Sequence, residues 1–321
     1  MLSAGISSTK MSARTKLTLL ALSATVISAP PTTVAERRSD AAFDIAITVD
    51  DLPAHGNLTP GMTRVEIARE QIAALKAHKV PEAYGFVNAI HLAREPGSEA
   101  VLMEWRSAGF PLGNHTYSHK NVNEGPVEAF EADVLADEPA LQRHMPQRNW
   151  HFLRFPYLSS GDAAHHDGVI AWLKEHRYRI ADVSVSFEDW VYTEPYNRCL
   201  AKSDTAAIEN LKVHYLEGVD VSIRRMKALS LKVYGRVIPQ VLLSHIGEFS
   251  SVMLPETLNR LTAAGARYVT LTQAQRDPAY AEADPRAGDG TLMERIAAEK
   301  GIDISTLPVR ADNGAVVQMC R

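Results

Sequence analysis

Cysteine is the scarcest residue type in this 321-residue chain, which contains only Cys199 and Cys320. The two residues are far apart in the sequence, so they lack the close spacing of the cysteine pairs that bind structural zinc. This excludes a small domain held together by cysteine-bound zinc. In an oxidising compartment the pair could form a single disulfide that ties down the C-terminal tail.

The chain also lacks an excess of positive charge. It has 34 Lys and Arg against 38 Asp and Glu, a formal charge of −4 at pH 7. Nucleic-acid binding relies on a surplus of basic side chains, so we predict no nucleic-acid partner. The sequence shows no internal repeat or low-complexity stretch, and its 45% hydrophobic content is enough for one large core.

Long apolar runs are scarce as well, and one lies near the N-terminus. It extends over residues 17–29, is rich in small residues, and follows Arg14 and Lys16. It is too short to span a bilayer comfortably and is typical of a secretory signal, so we predict that residues 1–35 are a signal peptide. An uncleaved N-terminal anchor is the alternative. No cysteine follows the run, which argues against a lipid anchor.

Removal of residues 1–35 leaves 31 basic and 38 acidic residues, a formal charge of −7. The expected mature protein is therefore mildly acidic and lies in the periplasm or outside the cell. We expect no stable membrane span once the signal is removed, and the sequence implies no obligate protein partner.

From about residue 43 onward, strand-like and helix-like segments alternate. Short apolar or β-branched runs predict strands, and runs with apolar residues at helical spacing predict helices. The predicted strands cover residues 43–49, 83–87, 110–112, 151–155, 178–185, 240–244 and 266–271. The predicted helices cover residues 63–79, 99–108, 127–143, 163–176, 205–230 and 255–264. Such alternation favours an α/β fold with parallel strands, either a barrel or a doubly wound sheet. We predict one domain over residues 40–275 and a C-terminal extension, 276–321, packed on it.

Polar residues gather where the predicted strands end. Asp50 and Asp51 end the first strand, residues 154–157 end another, Asp189 follows a third, and His245 ends a fourth. The carboxyl ends of parallel strands carry the active site in α/β folds. We therefore predict a catalytic site at this edge of the sheet.

Four residues within this pattern suggest a metal site. His115 and His119 are four positions apart, which would place both imidazoles on one side of a helical turn and suits two ligands of one cation. With twelve histidines in the chain, the pair alone could also arise by chance. Asp50 and Asp51 are adjacent carboxylates after an apolar strand, and a cation would offset their repulsion. Two histidines and one aspartate fit a catalytic zinc site, which leaves the second aspartate free to act as a base.

Five short motifs connect these positions to a known family. TVDDLPAHG, NHTYSH, RFPY, SFEDW and LLSH occur in this order between residues 43 and 275. In this respect the chain resembles carbohydrate esterase family 4, the polysaccharide deacetylases with a NodB homology domain. The resemblance implies a distorted (β/α) barrel and a metal-dependent hydrolase that removes N- or O-linked acetyl groups from a carbohydrate polymer or oligomer. The implied partner is thus an acetylated glycan.

The resemblance also implies roles for the residues in the first three motifs. Asp51, His115 and His119 match the metal ligands, and Asp50 matches the general base. Arg154 would pair with Asp50 and keep it ionised and oriented. One divalent ion, Zn²⁺ first and Co²⁺ or Ni²⁺ as alternatives, is the implied cofactor, because the same ligands bind all three.

Roles for the remaining site residues follow in the same way. His245 matches the general acid that protonates the leaving group, and Asp189 would hydrogen-bond its imidazole. Trp190 and Leu243 would form the walls of a small acetyl pocket. The backbone N–H of Tyr157 would help to stabilise the oxyanion.

The first motif departs from the family pattern. Members of the family usually have glycine after the second aspartate, whereas Leu52 and Pro53 follow Asp51 here, so this loop must take another path. His55 in this loop could face the groove. The departure leaves open hydrolysis of another amide or ester on the same site. A catalytically silent glycan-binding module is a further alternative, although such a module needs neither base nor acid.

Overall fold

The computed structural model describes residues 42–146, 150–283 and 286–321, so the predicted signal peptide lies outside the described residues. The strands are β1 (Phe43–Leu52), β2 (Ala83–Val87), β3 (Leu112–Asn114), β4 (Phe152–Leu153), β5 (Arg179–Ile180), β6 (Val185–Ser186), β7 (Gln240–His245) and β8 (Ala266–Tyr268). The helices are α1 (Arg64–Ala77), α2 (Ile90–Arg94), α3 (Glu99–Ser107), α4 (Val127–His144), α5 (His166–Glu175), α6 (Trp190–Ala201), α7 (Thr205–Tyr234), α8 (Glu248–Ala263), α9 (Leu271–Ala274), α10 (Pro278–Ala283), α11 (Leu292–Glu299) and α12 (Gly314–Gln318).

β1 is the central strand of the sheet. It pairs with β2 on one side and with β7 on the other, and its first residues also pair with β8. Eight of its ten residues are buried, as expected for a strand covered on both faces in a parallel sheet. The strand order is β5-β4-β3-β2-β1-β7-β6, and every recorded strand pair is parallel. The predicted α/β fold is confirmed.

The sheet curls into a distorted barrel, and a short loop connects the strands at its two edges. The predicted single strand over 178–185 is wrong, because β5 and β6 lie at opposite ends of the strand order. Residues 181–184 connect them, and a segment of this length spans at most about 18 Å even when extended. The two edges of the sheet are therefore close. Asp182 lies in the connection, buried, and accepts two 2.8 Å hydrogen bonds from Arg295 Nη2.

Two further predictions about helices require correction. Between the predicted strands over 178–185 and 240–244 the chain contains an additional helix, α6, before the predicted long helix, α7. The predicted start of α8 at Pro255 is wrong, since the helix begins at Glu248 and Pro255 lies inside it. Proline favours the first turn of a helix, but here it lies in the interior of α8.

The C-terminal segment packs on the sheet and on α6. In α11 the apolar residues Leu292, Met293 and Ile296 are buried, and the backbone N–H of Leu292 donates to the Val183 carbonyl at 2.8 Å. A disulfide joins Cys199 of α6 to Cys320. Over the described part of the chain, none of the helices combines the length and apolar character that a membrane crossing requires. The exact division into domain and extension stays a prediction.

Candidate metal centre and active site

The ends of β1 and β7 form the floor of the site. Asp50 of β1 lies opposite His245 of β7 in the parallel register, and Asp51 follows on the same strand. Asp50 is buried and Asp51 is half-buried. The predicted base, the predicted acid and one predicted metal ligand are thus neighbours because the two strands pair.

The two predicted histidine ligands come from the loop after β3. The predicted helical turn is wrong: residues 115–119 form an irregular segment in which Thr116 and His119 have positive φ angles of 60° and 59°. Asn88 holds this segment, because its Nδ2 donates to the carbonyl oxygens of His115 at 2.6 Å and Thr116 at 2.8 Å. The loop still directs both imidazoles toward Asp51.

The three predicted ligands meet at distances that suit one small cation. Asp51 Oδ1 lies 3.4 Å from His115 Nε2 and 3.6 Å from His119 Nε2. One ligand atom from each residue can be chosen so that all lie within 4.8 Å of one another. Tetrahedral ligands held at about 2.0–2.2 Å from an ion are about 3.3–3.6 Å apart. The two Asp51 distances match this spacing.

Hydrogen bonding supports the same assignment. His115 Nδ1 lies 2.8 Å from the Arg154 carbonyl oxygen, and a carbonyl only accepts, so Nδ1 donates. In the neutral ring this leaves the Nε2 lone pair directed at a carboxylate, an arrangement that a cation between them would make favourable. Asp51 Oδ1 is buried and has no hydrogen-bond partner. The donor set therefore fits a divalent metal ion.

Electrostatics keep these groups in the forms that bind metals. Burial, together with the nearby His115 imidazole, lowers the pKa of His119 to about 4, so its ring is neutral at pH 7. Burial works against the charged form of Asp51, but the imidazoles of His115 and His55 outweigh it and hold the pKa of Asp51 well below its usual value.

A buried arginine holds Asp50. Arg154 Nη1 donates to both carboxylate oxygens of Asp50, at 3.1 and 3.2 Å. Its Nη2 donates to Thr48 Oγ1 at 3.0 Å and its Nε to the Ala181 carbonyl at 2.6 Å. Both side chains of the ion pair are buried, so the aspartate is compensated in charge and fixed in orientation.

A second buried aspartate holds His245. Asp189 Oδ1 accepts from His245 Nδ1 at 2.9 Å, and its Oδ2 accepts from the His245 backbone N–H at 2.8 Å. The hydroxyls of Ser244 and Ser250 also donate to Oδ2, at 2.9 and 2.7 Å. Burial opposes the charge on His245, but the Asp189 carboxylate more than offsets it and raises the histidine pKa to about 9. The imidazole is therefore protonated at neutral pH.

An open cavity of about 530 Å³ lies over these groups. Trp190 and Leu243 line it, as does Tyr157, whose ring stacks edge-on against His119 with centroids 4.6 Å apart. Trp190 is 53% exposed and Tyr157 is 63% exposed, so both aromatic side chains can still contact a ligand. The structure thus brings all ten predicted site residues to the same edge of the sheet.

The C-terminal extension contributes to the cavity, which the sequence did not predict. Gly290, Thr291 and Glu294 also line the cavity. Thr291 and Glu294 form a capping box at the start of α11, a pattern that indicates where a helix begins but not what it packs against. No sequence signal would have placed this segment at the site.

Several residues of the site adopt left-handed backbone conformations. Asp51, His119 and Tyr157 have φ angles of 67°, 59° and 59°. For residues with a side chain, such conformations cost about 1–3 kcal/mol each and gather at functional sites. The fold therefore retains unfavourable local geometry where the predicted ligands and the predicted oxyanion contact lie.

Comparison with known families agrees with this geometry. A family model described as polysaccharide deacetylase matches residues 37–180, a range that contains Asp50, Asp51, His115, His119 and Arg154. This part of the chain is similar to the polysaccharide deacetylase family. The match ends before Asp189 and His245, which complete the site from the later strands. No curated protein matches the chain.

Solved structures with this fold include polysaccharide deacetylases and a pseudoenzyme. The polysaccharide deacetylase Bc1974 from Bacillus cereus is 16% identical, with 71% of this chain and 91% of that chain covered and a TM-score of 0.51. BA3943 from Bacillus anthracis, a CE4 family pseudoenzyme, is 14% identical over 73% of this chain and 66% of that chain, with a TM-score of 0.51. A BA3943 mutant with restored enzymatic activity is 15% identical, covers 73% and 68% of the two chains, and also has a TM-score of 0.51. At these identities the similarity shows the fold, and activity has to be argued from the site.

Proposed function

We propose that this protein is a polysaccharide deacetylase, a metal-dependent hydrolase that removes acetyl groups from a glycan. The observation that carries the proposal is the convergence of Asp51, His115 and His119 between an arginine-bound aspartate and an aspartate-bound histidine. Zn²⁺ is the first candidate for the ion, and Co²⁺ or Ni²⁺ are alternatives with the same ligands.

The two flanking groups have complementary roles in the proposed reaction. A divalent cation held by the triad would act as a Lewis acid toward the acetyl carbonyl. Asp50, oriented by Arg154, accepts a proton from the attacking water. His245, protonated and oriented by Asp189, donates a proton to the leaving nitrogen or oxygen of the sugar.

The cavity walls hold the acetyl group. Leu243 and Trp190 offer an apolar surface for a methyl group beside the catalytic residues. The backbone N–H of Tyr157 is the proposed oxyanion donor from the protein, and its left-handed conformation sets the direction of that N–H.

Two alternatives have support from specific observations. Hydrolysis of a different amide or ester is supported by the lining of the cavity, which includes His55 of the altered loop and Gly290, Thr291 and Glu294 of the C-terminal extension. A catalytically silent module is supported by the example of BA3943, a CE4 family pseudoenzyme with a similar fold. The complete set of base, acid and orienting residues favours an enzyme.

Acetate release tests these alternatives. The metal-loaded protein is incubated with chitooligosaccharide, acetylated xylan and peptidoglycan, with chelator-treated protein and Asp50→Asn as controls. The proposal predicts acetate from at least one glycan, none after chelator treatment, and release by Asp50→Asn that is slower by about 10²–10⁴. Metal binding without acetate from any glycan would favour another amide or ester, and activity that survives the chelator would contradict metal dependence.

We also propose that the protein is exported to the periplasm or the exterior. The apolar run at residues 17–29 and the Cys199–Cys320 disulfide support this location. Mass spectrometry of the protein recovered from its native cells is expected to show an N-terminus near residue 36. Intact protein that retains residues 1–35 in the cytoplasm would contradict export.

A further inference from the structure

We propose that His55 is a positioning residue that fixes the carboxylate of Asp51 for metal binding. This inference rests on the proposed metal site and adds a residue outside the ligand set. His55 lies in the loop where the first motif departs from the family pattern, four positions after Asp51.

The two oxygens of the Asp51 carboxylate have different contacts, one with His55 and the other with the two histidine ligands. His55 Nδ1 lies 2.7 Å from Asp51 Oδ2, and an ionised carboxylate only accepts, so Nδ1 donates. The other oxygen, Oδ1, is the atom that lies 3.4 Å from His115 Nε2 and 3.6 Å from His119 Nε2. His55 therefore prevents the carboxylate from rotating and keeps Oδ1 directed at the two imidazoles.

The backbone around His55 is fixed at the start of its loop. Arg64 at the beginning of α1 donates from Nη1 to the His55 carbonyl at 3.1 Å and from Nη2 to the Gly56 carbonyl at 2.8 Å. Glu95 holds the same guanidinium through two hydrogen bonds, at 2.8 and 2.9 Å. The guanidinium thus links the loop to two other parts of the fold.

The following residues of the loop are fixed as well. Glu194 accepts from both the backbone N–H and the side chain of Asn57, at 3.1 and 3.0 Å, while Asn197 donates to the Asn57 carbonyl at 2.6 Å. Buried Glu248 accepts from Thr59 at 2.7 and 3.2 Å. A loop held at three points can present its histidine in one orientation.

The imidazole itself is held between the metal site and the acid. Its ring centroid is 4.9 Å from that of His245, and a side chain built on Gly247 would meet His55 Cδ2 at 3.2 Å. The glycine thus makes room for the ring. These contacts place His55 against both halves of the site.

Three roles for His55 predict different behaviour of substituted proteins. A positioning role needs only an N–H donor beside Asp51, which asparagine can supply through its amide. A role as an additional metal ligand needs the imidazole, and a role limited to packing needs the size of the ring. His55→Ala removes all three features, whereas His55→Asn restores only the donor.

The test measures the zinc affinity of the full chain by competition with a chromophoric chelator. A matched control is His165→Ala, because His165 Nδ1 also lies 2.7 Å from an aspartate, Asp162, but on the surface and outside the site. Loss of a residue that orients a metal ligand typically weakens metal binding 10–100-fold. We expect such a loss for His55→Ala, an affinity within about 3-fold of the unsubstituted protein for His55→Asn, and no change for the control. Circular dichroism checks that each apoprotein is folded.

The possible outcomes separate this inference from the proposed function. Equal affinity in His55→Ala and the unsubstituted protein would overturn the positioning role alone. Equal losses in His55→Ala and His55→Asn would also overturn it, in favour of a ligand or a packing role. A chain that binds no zinc even with His55 present would overturn the metal site and this role together. Misfolding of His55→Ala would leave His55→Asn as the deciding variant, where a loss above 10-fold contradicts the proposal.

Discussion

The replacement of Asp189 by asparagine tests how the fold keeps the proposed acid protonated. Asp189 is buried, and through its two oxygens it accepts hydrogen bonds from the His245 ring, the His245 backbone and two serines. Asparagine has nearly the same volume and retains one acceptor oxygen, but it removes the negative charge. The change therefore preserves the packing volume and removes the charge together with one acceptor.

The size of the effect follows from the pKa of His245. With Asp189 that pKa is about 9, against about 6.5 for an unperturbed histidine. Asp189 is the largest of the groups that raise this pKa, and Asp51 and Asp50 add to it. Without the Asp189 charge the pKa is expected to fall toward 6.5, a change of up to about 2.5 units or about 3 kcal/mol. At pH 7.5 the protonated fraction of His245 would fall from nearly all molecules toward about one in ten. A cation bound at Asp51 lowers the pKa of His245 in both proteins, so the test compares the two proteins and uses the difference between their His245 pKa values.

The same pKa difference predicts how stability depends on pH. The histidine pKa is higher in the folded state than in the unfolded state, so its contribution is complete below about pH 6.5 and is lost as the pH rises through about 9. Asp189→Asn is therefore expected to destabilise the protein more at pH 6 than at pH 10. Urea unfolding at the two pH values measures this difference.

The assay for catalysis is the pH profile of kcat/KM for acetate release. We expect the alkaline limb of Asp189→Asn to lie at least one pH unit below that of the unsubstituted protein, because the acid loses its proton earlier. Identical alkaline limbs would refute the conclusion that Asp189 sets the pKa of a catalytic His245.

Three further predictions concern the base, its arginine and the disulfide. Asp50→Asn is expected to retain one equivalent of metal by elemental analysis and to lose about 10²–10⁴ in kcat, and near-normal turnover would exclude Asp50 as the base. Arg154→Met leaves the buried Asp50 without its partner and is expected to destabilise the protein by about 3–5 kcal/mol in urea unfolding. Adding Asp50→Asn is expected to restore part of this stability. If the free-energy changes of the two substitutions simply add in the double variant, the pairing is contradicted. The double serine variant of Cys199 and Cys320 is expected to lose about 2–5 kcal/mol, and unchanged stability would show that the C-terminal segment is held without the disulfide.

The strand ends could be predicted from the sequence because they depend on a general rule. Short apolar runs indicated β1, β2 and β7, and parallel strands place their carboxyl ends at one edge. Asp50, Asp51 and His245 follow such runs, so their proximity required no knowledge of the loops. In the structure Asp50 lies opposite His245 across β1 and β7, as this rule predicts.

Local geometry that depends on distant contacts could not be predicted in the same way. The spacing of His115 and His119 fits a helical turn, yet residues with left-handed backbone bring the same two side chains together without a helix. Residues 178–185 are predicted as one strand, but their first part pairs with β4 and their last part with β7, and Asp182 between them pairs with Arg295, more than a hundred residues later. The position of Gly290, Thr291 and Glu294 at the cavity likewise depends on packing between distant segments, which leaves no local pattern in the sequence.

The central claim is that Asp51, His115 and His119 share one cation, and anomalous diffraction from zinc-loaded crystals tests it most directly. The account predicts a single zinc peak between Asp51 Oδ1 and the Nε2 atoms of the two histidines, about 2.0–2.2 Å from each, and its loss in crystals of His119→Ala. A zinc ion bound elsewhere, or one that remains at full occupancy in His119→Ala, would contradict the account.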